Sequence, residues 1–148
     1  MEYDTITDAL ERHQLALLNT VIKKAKESER AYTCLKMAWI CRGKAESLSE
    51  ELPNYKIQLK ELKQQEKELL ENAYTGFETA FSKESFPMCG MDEITVSYLL
   101  AELARRIGKF EESSRWISRV LISRDANDRI KNRAREIKEL LNKDMHKA

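Results

Sequence analysis

The sequence predicts an all-α protein, a bundle or α-solenoid of about six helices with one unusually long helix. Gly and Pro together number only six in 148 residues, whereas a β-sandwich or barrel needs a turn about every 8–12 residues. Charged residues make up 34% of the chain, which is typical of solvated helix surfaces. Apolar residues recur at helical spacing along every long segment. Gly-rich phosphate loops and nucleophile elbows are absent from the sequence.

The first half of the chain predicts a capping helix, a second helix and one long helix. The capping helix spans 7–26, on a stripe of Leu10, Leu17, Leu18, Val21, Ile22 and Ala25. The second helix is expected to begin at Ser28 as N-cap and to stop near Gly43 as the residue after the C-cap. The residues it is expected to bury are Ala31, Leu35, Ala38 and Trp39.

The long helix follows Pro53, and its stripe recurs at steps of four and three over about 28 residues, or about 42 Å. The stripe consists of Tyr55, Leu59, Leu62, Glu66, Leu69, Ala73, Phe77 and Ala80. Glu66 is the one charged member, so it is expected either at an interhelical gap or against a partner chain. A Ser47-x-x-Glu50 capping-box pattern predicts a short separate helical turn within 45–52.

Three shorter helices are predicted after the Phe-Pro-Met-Cys-Gly loop. Asp92 is the expected N-cap of a helix that runs to about Ile107 and ends at Gly108. The next helix starts after Phe110 and ends near Ser123. Either Asp125 or Asn127 caps the last helix, whose stripe is Ile130, Ala134, Ile137 and Leu141.

The segment Ile94–Leu121 carries a repeat-like pattern. Leu100 and Ala104 lie on one helix face, Gly108 permits a tight reversal, and the small residues Ala101 and Ser113 allow the two helices to approach closely. This pattern resembles a tetratricopeptide repeat, a helix–turn–helix unit of about 34 residues. The usual Pro after the second helix is missing from this match, which has the Asp125 region in its place.

A weaker copy places Leu35, Trp39 and Gly43 at 65 residues before Leu100, Ala104 and Gly108. Two adjacent repeats would place these residues about 34 positions apart, so about 31 residues are inserted between the two units. The long helix and the loop after it account for this insertion. The resulting layout is a single helical domain, 1–148, with two units and two caps. The first unit spans 28–84, the better-formed one 92–123, and the caps 7–26 and 126–145.

A narrower resemblance covers most of the chain. The stretches AYTCLKMAW, FPMCGMDEITVSYLLAELARRIGKFEES and RIKNRAREIKELL resemble the C-terminal part of a bacterial domain-of-unknown-function family, number twenty-two twenty-five. The longer members of that family begin with a cysteine-rich segment of metal-binding type. Because nothing like it precedes Tyr3, the chain is expected to be either a short member or a truncated one. The resemblance transfers no catalytic residue.

Repeats of this class bind peptides on the face lined by their first helices. Counted from Gly108, that face presents Thr95, Tyr98, Glu102, Arg105 and Arg106. The equivalent positions of the first unit are Arg30, Thr33, Met37, Ile40 and Cys41. Arg105 and Arg106 are expected to hold a carboxylate by paired hydrogen bonds, with Tyr98 as a flat contact. The alternative is that all of these are ordinary surface side chains.

Net charge is +1 but is unevenly distributed, with 13 basic and 18 acidic residues in 1–104 and 13 basic and 7 acidic residues in 105–148. This asymmetry makes a nucleic-acid-associated or regulatory protein the alternative function. The basic ladder Arg129, Lys131, Arg133, Arg135 and Lys138 surrounds its helix and lacks the interleaved aromatics that single-strand binding favours. Nucleic acid is therefore not the expected partner.

The remaining candidate residues predict packing rather than chemistry. Trp39 and Trp116 lie within apolar stripes and are expected in the core rather than as interface anchors. Cys34, Cys41 and Cys89 form no CxxC pair and predict reduced thiols in a cytoplasmic protein, with only Cys89 exposed. No nucleophile–base pair or metal-ligand spacing occurs, so no enzyme activity, metal or cofactor is expected.

The sequence therefore predicts a non-catalytic module that binds a protein or peptide of unknown identity. No membrane association is expected, because no apolar run approaches the roughly 18 residues of a membrane span. A two-unit array is short for its class, which leaves open a homodimer formed through the exposed stripe of the long helix.

Overall fold

The structure, a computed structural model, describes residues 26–146. The predicted capping helix over 7–26 therefore lies outside the described residues, apart from Lys26. Within the described part, every regular element is α-helical. The helices are α1 (Glu27–Glu46), α2 (Tyr55–Lys83), α3 (Glu93–Arg106), α4 (Phe110–Ile122) and α5 (Asp128–His146). This arrangement confirms the predicted all-α fold and its one unusually long helix.

Helices α1 and α2 form an antiparallel pair that brings two backbones close together. Small residues make this approach possible: Ala31, Ala38, Ala73 and Ala80 are at most 2% exposed. Gly76 sits against α1, where an added Cβ would lie 2.8 Å from the Cβ of Ala31. A glycine inside a helix lowers its intrinsic stability, so this close approach is the structural reason for Gly76.

The start of α1 differs from the prediction. Ser28 is not the N-cap but a buried residue within the helix, and Lys26 takes the N-cap position without a side-chain cap. The carboxylate of Glu84 accepts hydrogen bonds from the Ser28 backbone N–H at 3.1 Å and from its hydroxyl at 2.5 Å. An acidic group from the end of α2 therefore satisfies an amide in the first turn of α1, where negative charge also suits the helix dipole.

The end of α1 also differs. The helix continues through Gly43 to Glu46, and among the described glycines only Gly90 and Gly108 have positive φ angles. Gly43 is exposed, and a Cβ added there would meet nothing within 4 Å, so a side chain would fit at this position. Residues 47–54 form turns rather than the separate helical turn predicted over 45–52. The backbone N–H of Leu52 donates to the carbonyl of Ser49 at 3.3 Å in one of these turns.

Helices α3 and α4 form the hairpin predicted over 92–123. The Asp92 side chain accepts from the Thr95 backbone N–H at 2.7 Å, as an N-cap should. Gly108 has φ +85° and allows the chain to reverse after α3. The Ser113 hydroxyl donates to the carbonyl of Ala101 at 2.7 Å, so the two predicted small residues meet across the hairpin.

Helix α5 closes the other side of the hairpin. Of the two predicted caps, Asn127 is the one used, and its side chain accepts from the Ile130 backbone N–H at 2.9 Å. The predicted stripe is largely confirmed, with Ala134, Ile137 and Leu141 buried and Ile130 half-buried. Two apolar clusters result, one between α1, α2 and α3 and the other between α3, α4 and α5.

The two tryptophans have different environments. Trp116 is half-buried and packs against both apolar clusters, with its ring 4.9 Å from Phe81 in an edge-to-face contact. Trp39 is 50% exposed, so its predicted place in the core was wrong. Because α1 approaches α2 through small residues such as Ala38, the neighbouring position points about 100° away from that interface.

The weaker upstream repeat does not keep its predicted register. Ala104 is fully buried whereas Trp39, its proposed equivalent, is half exposed. Gly108 ends α3, but Gly43 lies inside α1. Only Leu35 behaves like its counterpart Leu100, and both are buried. The α1–α2 pair is therefore an extended helical hairpin that does not repeat the geometry of α3–α4 at these positions.

Candidate functional site

The predicted ligand face on α3 divides into two parts. Arg105, Arg106 and Glu102 cluster near the C-terminal end of the helix. Tyr98 is half-buried against the cluster formed with α4 and α5, and burial raises the pKa of its hydroxyl. Thr95 belongs to the first turn, where its backbone N–H bonds to Asp92. Only the C-terminal end of α3 therefore gathers several charged side chains of the predicted face.

Met37 lies on a different surface from these α3 residues. It lines a groove between α1 and α2 with Ile40, Cys41 and Leu69. Arg30 and Thr33 belong to earlier turns of α1, and Thr33 donates its hydroxyl to the Glu29 carbonyl at 3.0 Å. The first-unit residues therefore do not continue the α3 face into one groove.

Arg105 is held firmly by two carboxylates. Its guanidinium donates to both oxygens of Glu102, at 2.9 and 3.3 Å, and to Asp144 of α5 at 3.3 Å. The side chain is only 16% exposed, and the hydrogen bonds to Glu102 raise the pKa of Arg105. Arg105 thus joins α3 to α5 and supplies a fixed positive charge.

Arg106 shares the same acceptor but is more open. Its Nε donates to Glu102 Oε1 at 2.6 Å, and its side chain is 37% exposed. Because that bond uses one edge of the planar group, terminal N–H donors remain for an incoming acceptor. Arg106 is therefore the guanidinium of this pair that is better placed for a ligand.

A cavity of about 460 Å³ opens beside this arginine pair. Five cationic and two anionic side chains line it, and Glu102, which is bonded to both arginines, is a third anion, so the local charge is still positive. The cations are Arg42, Lys63, Lys67, Arg105 and Arg106, and the anions are Glu66 and Asp144. Leu70, Phe110 and Gly108 complete the lining. The cavity therefore offers both charge and apolar contact to an anionic group.

Glu66 lies at an interhelical gap, one of the two places predicted for it. Its Oε1 accepts from Arg42 Nε at 2.8 Å and lies 2.6 Å from Nη2 of the same side chain. This pair crosses from α2 to α1 at one wall of the cavity. Because both partners are partly shielded, with exposures of 32% and 16%, the pair positions Arg42 as well as neutralising it.

Lys63 and Lys67 are the two cavity cations that keep no such partner. Within residues 26–146, no carboxylate oxygen lies within 4.0 Å of either amine. Both side chains are exposed on α2, one helical turn apart. Neither lysine was among the predicted site residues, because both lie outside the apolar stripe of α2; their four-residue spacing is the signal that could have identified them.

The remaining sequence candidates do not join the cavity. Cys34 and Cys41 are half-buried on α1, and burial raises the pKa of both thiols. Cys89 is the exposed thiol, as predicted, and lies in the loop before α3 with φ 50°. The basic ladder of α5 is mostly exposed. Among the described residues, no three His, Cys, Asp or Glu side chains lie close enough together to hold a metal ion.

Fold and site together define an all-helical protein with a positively charged cavity where the end of α3 meets α2. The bacterial family described as "Uncharacterized protein conserved in bacteria (DUF2225)" matches residues 1–141. The chain belongs to this family, as the sequence resemblance predicted. Comparisons with curated proteins and with solved structures gave no match. In residues 26–146, none of the helices combines the length and apolar character needed to cross a bilayer.

Proposed function

We propose that this chain is a non-catalytic, cytoplasmic module that binds a protein or peptide partner through the cavity beside Arg105 and Arg106. The observation that carries the proposal is the position of the two guanidiniums. Glu102 holds both side chains in place, and Arg106, which lines the cavity, keeps the terminal N–H donors that its bond to Glu102 does not use. Preorganised cations lose little conformational entropy when they bind a carboxylate. A carboxylate-bearing peptide segment is the ligand that this arrangement suits.

The α3–α4 hairpin supports this proposal as a tetratricopeptide-like unit. Its reversal at Gly108, the contact of Ser113 with Ala101, and its buried Leu100 and Ala104 follow the packing pattern of such repeats. In repeats of this kind, paired helices build concave binding surfaces. The cavity at the turn is where this hairpin meets the long helix, so a ligand there contacts both.

The apolar lining favours a peptide over a simple anion. Leu70 is 5% exposed and Phe110 is half-buried, and both contribute to the cavity wall. A peptide with an apolar side chain next to its carboxylate satisfies both kinds of contact, since specific sites combine an apolar surface with a few placed polar groups.

Affinity capture from the source cell, followed by mass spectrometry, tests the proposal with Arg106→Glu as the variant. Arg105 is a poor choice for substitution, because its bonds to Glu102 and Asp144 join α3 to α5. Arg129→Glu is the matched control, since Arg129 is exposed on α5 and makes the same change of charge. We expect a protein recovered by the wild type and the control to be lost with Arg106→Glu at unchanged helicity.

The same experiment decides against the proposal in two ways. A partner retained at full strength by Arg106→Glu places the binding surface elsewhere. Recovery of nucleic acid that depends on Arg129 favours the alternative function of the basic C-terminal third, and such binding weakens steeply with salt. The homodimer predicted through α2 is checked separately by light scattering of the purified chain.

A further inference from the structure

Four lysines form one straight row on the N-terminal half of α2. Lys56, Lys60, Lys63 and Lys67 follow steps of four, three and four, which keeps them on one helix face. The row is about 16 Å long from the first Cα to the last. All four side chains are exposed. Its last two members also line the basic cavity, so the row and the cavity form one continuous surface.

The row has no internal charge compensation. Within the described residues, none of the four amines has a carboxylate oxygen within 4.0 Å. Lys56 and Lys60, like Lys63 and Lys67, are like-charge pairs one turn apart, a spacing that destabilises a helix. A ligand carrying negative charge along this line relieves that repulsion.

The same face of α2 is occupied by α4 further along the helix. Tyr74 lies seven residues beyond Lys67, and its hydroxyl is 2.7 Å from a Glu112 carboxylate oxygen of α4 and accepts from Trp116 Nε1 at 3.2 Å. Phe81, seven residues further, packs on Trp116. α4 begins at Phe110, which lines the cavity beside Lys67. The lysine row therefore lies on the same face of α2 as the residues that pack on α4, but beyond the N-terminal end of α4.

We propose that the lysine row binds an acidic amphipathic helix of a protein partner, seated along α2 in line with α4. This inference rests on the proposed function and names the form of its ligand. Carboxylates one turn apart on such a helix are about 6 Å apart along its axis, which matches the lysine spacing. Leu59 is half-buried between Lys56 and Lys60 in a groove of about 400 Å³, and it supplies the apolar contact that such a helix requires.

The surroundings of the row favour a helix over a nucleic acid. Glu71 lies one turn beyond Lys67, and Glu61 and Glu68 lie on the exposed surface of the same helix. These carboxylates repel a polyphosphate chain that spreads across the surface. A single helix aligned with the row needs to contact only the four lysines and the groove at Leu59.

Fluorescence anisotropy tests the inference with a synthetic amphipathic peptide of about 16 residues. The peptide carries glutamates one turn apart beside a leucine stripe, and a matched peptide has glutamine at those positions. The variant K56E/K60E reverses charge only in the part of the row outside the basic cavity. R129E/K138E on α5 is the control of equal charge, with both residues exposed.

We expect the acidic peptide to bind the wild type and the control equally, and to bind K56E/K60E at least tenfold more weakly. The glutamine peptide should lose affinity to the same extent. Equal binding of both peptides, or equal binding of K56E/K60E and wild type, overturns the inference. A thymidine oligonucleotide of equal charge that binds more tightly than the acidic peptide also overturns it.

The outcome is separable from that of the proposed function. A partner protein that depends on Arg106 but binds K56E/K60E at full strength leaves the proposed function standing and refutes the lysine row. If the row binds the acidic peptide but the natural partner does not depend on Arg106, the lysine row stands and the proposed function is refuted. Circular dichroism of K56E/K60E checks that α2 keeps its helicity.

Discussion

Gly76 offers the sharpest test of how α1 and α2 pack. The substitution Gly76→Ala adds a Cβ that lies 2.8 Å from the Cβ of Ala31. Carbon atoms in contact prefer about 3.5–4.0 Å, so the two helices have to separate by roughly 1 Å. Ala31 cannot yield by rotating, because its Cβ is fixed to the backbone. The perturbation is therefore felt along the whole α1–α2 interface.

Two opposing terms set the size of the effect. Ala is a better helix former than Gly by about 1 kcal/mol, which favours the variant. Overpacking a well-filled interface costs about 1–3 kcal/mol, and here the neighbour is backbone-anchored and 2% exposed. We expect a net loss of about 1 kcal/mol in the free energy of unfolding. For a chain of this size that corresponds to a fall in Tm of about 3 °C.

A double-mutant cycle isolates the contact from helix propensity. Ala31→Gly alone should destabilise the protein through the helical cost of glycine, about 1 kcal/mol. In the combination of Gly76→Ala with Ala31→Gly, the methyl group moves from one helix to the other and the overlap disappears. We expect the double variant to be about 2 kcal/mol more stable than the sum of the single effects, because it removes the whole cost of the overlap. Urea denaturation followed by circular dichroism measures all four proteins.

One result refutes the reasoning directly. If Gly76→Ala raises stability by about 1 kcal/mol, the propensity gain is unopposed and the helices are not in close contact at this point. A cycle that is additive within about 0.3–0.5 kcal/mol leads to the same conclusion, even if Gly76→Ala is itself destabilising.

The α3–α4 hairpin and the loop before it can be tested at three residues. Trp116→Ala should cost about 3 kcal/mol in thermal unfolding, the lower end of the range for a truncated core tryptophan, because the ring is half-buried; an unchanged Tm would place it at the surface. Asp92→Ala should cost about 1 kcal/mol as the loss of an N-cap. The hydrogen bond from the Thr95 backbone N–H lowers the pKa of the Asp92 carboxyl in the folded protein. The stabilisation by this cap is therefore fully present above the unfolded pKa of about 3.9 and is lost as the pH falls through the lower folded pKa. The stability of Asp92→Asn should lack this pH dependence. In the native protein a maleimide should label Cys89 faster than Cys34, because only Cys89 is exposed; equal rates would contradict the structure.

The hairpin could be predicted from sequence because its signals are local. The start of α3 is marked by Asp92, whose side chain accepts from the Thr95 backbone N–H three residues later. Its end is marked by Gly108, which follows the last apolar position and has a positive φ. Ser113 opposite Ala101 required only that two small residues face each other across a short turn. Such features depend on neighbours a few residues away, which periodicity and capping rules describe well.

The ends of α1 could not be predicted for the opposite reason. The group that caps its start is Glu84, 56 residues away from Ser28, and no local rule anticipates a cap supplied by another helix. The position of Trp39 was predicted wrongly because a narrow apolar stripe does not show whether a residue at its edge is buried. The close interface with α2 has room for alanine but not for an indole ring.

The candidate site was half predicted. Arg105 and Arg106 were identified as a pair from their position before Gly108, and Glu102 was placed on the same face. The bond from Arg105 to Asp144 of α5 emerges only from the fold. Lys63 and Lys67 of α2 were not predicted. Their four-residue spacing indicates a shared helix face, but nothing local shows that α4 begins beside that face.

The mismatch in helix length explains why the site lies where it does. α2 has 29 residues, whereas α3 has 14 and α4 has 13, so at 1.5 Å per residue the hairpin spans only about half of the long helix. On one stripe of α2 the side chains change from Tyr74 and Phe81, which pack on α4, to Lys63 and Lys67, which do not. That change falls beside Phe110, the first residue of α4. The basic surface is thus the uncovered continuation of a packing face. A partner that completes it must supply on its own helix the length and the negative charge that α4 does not provide there.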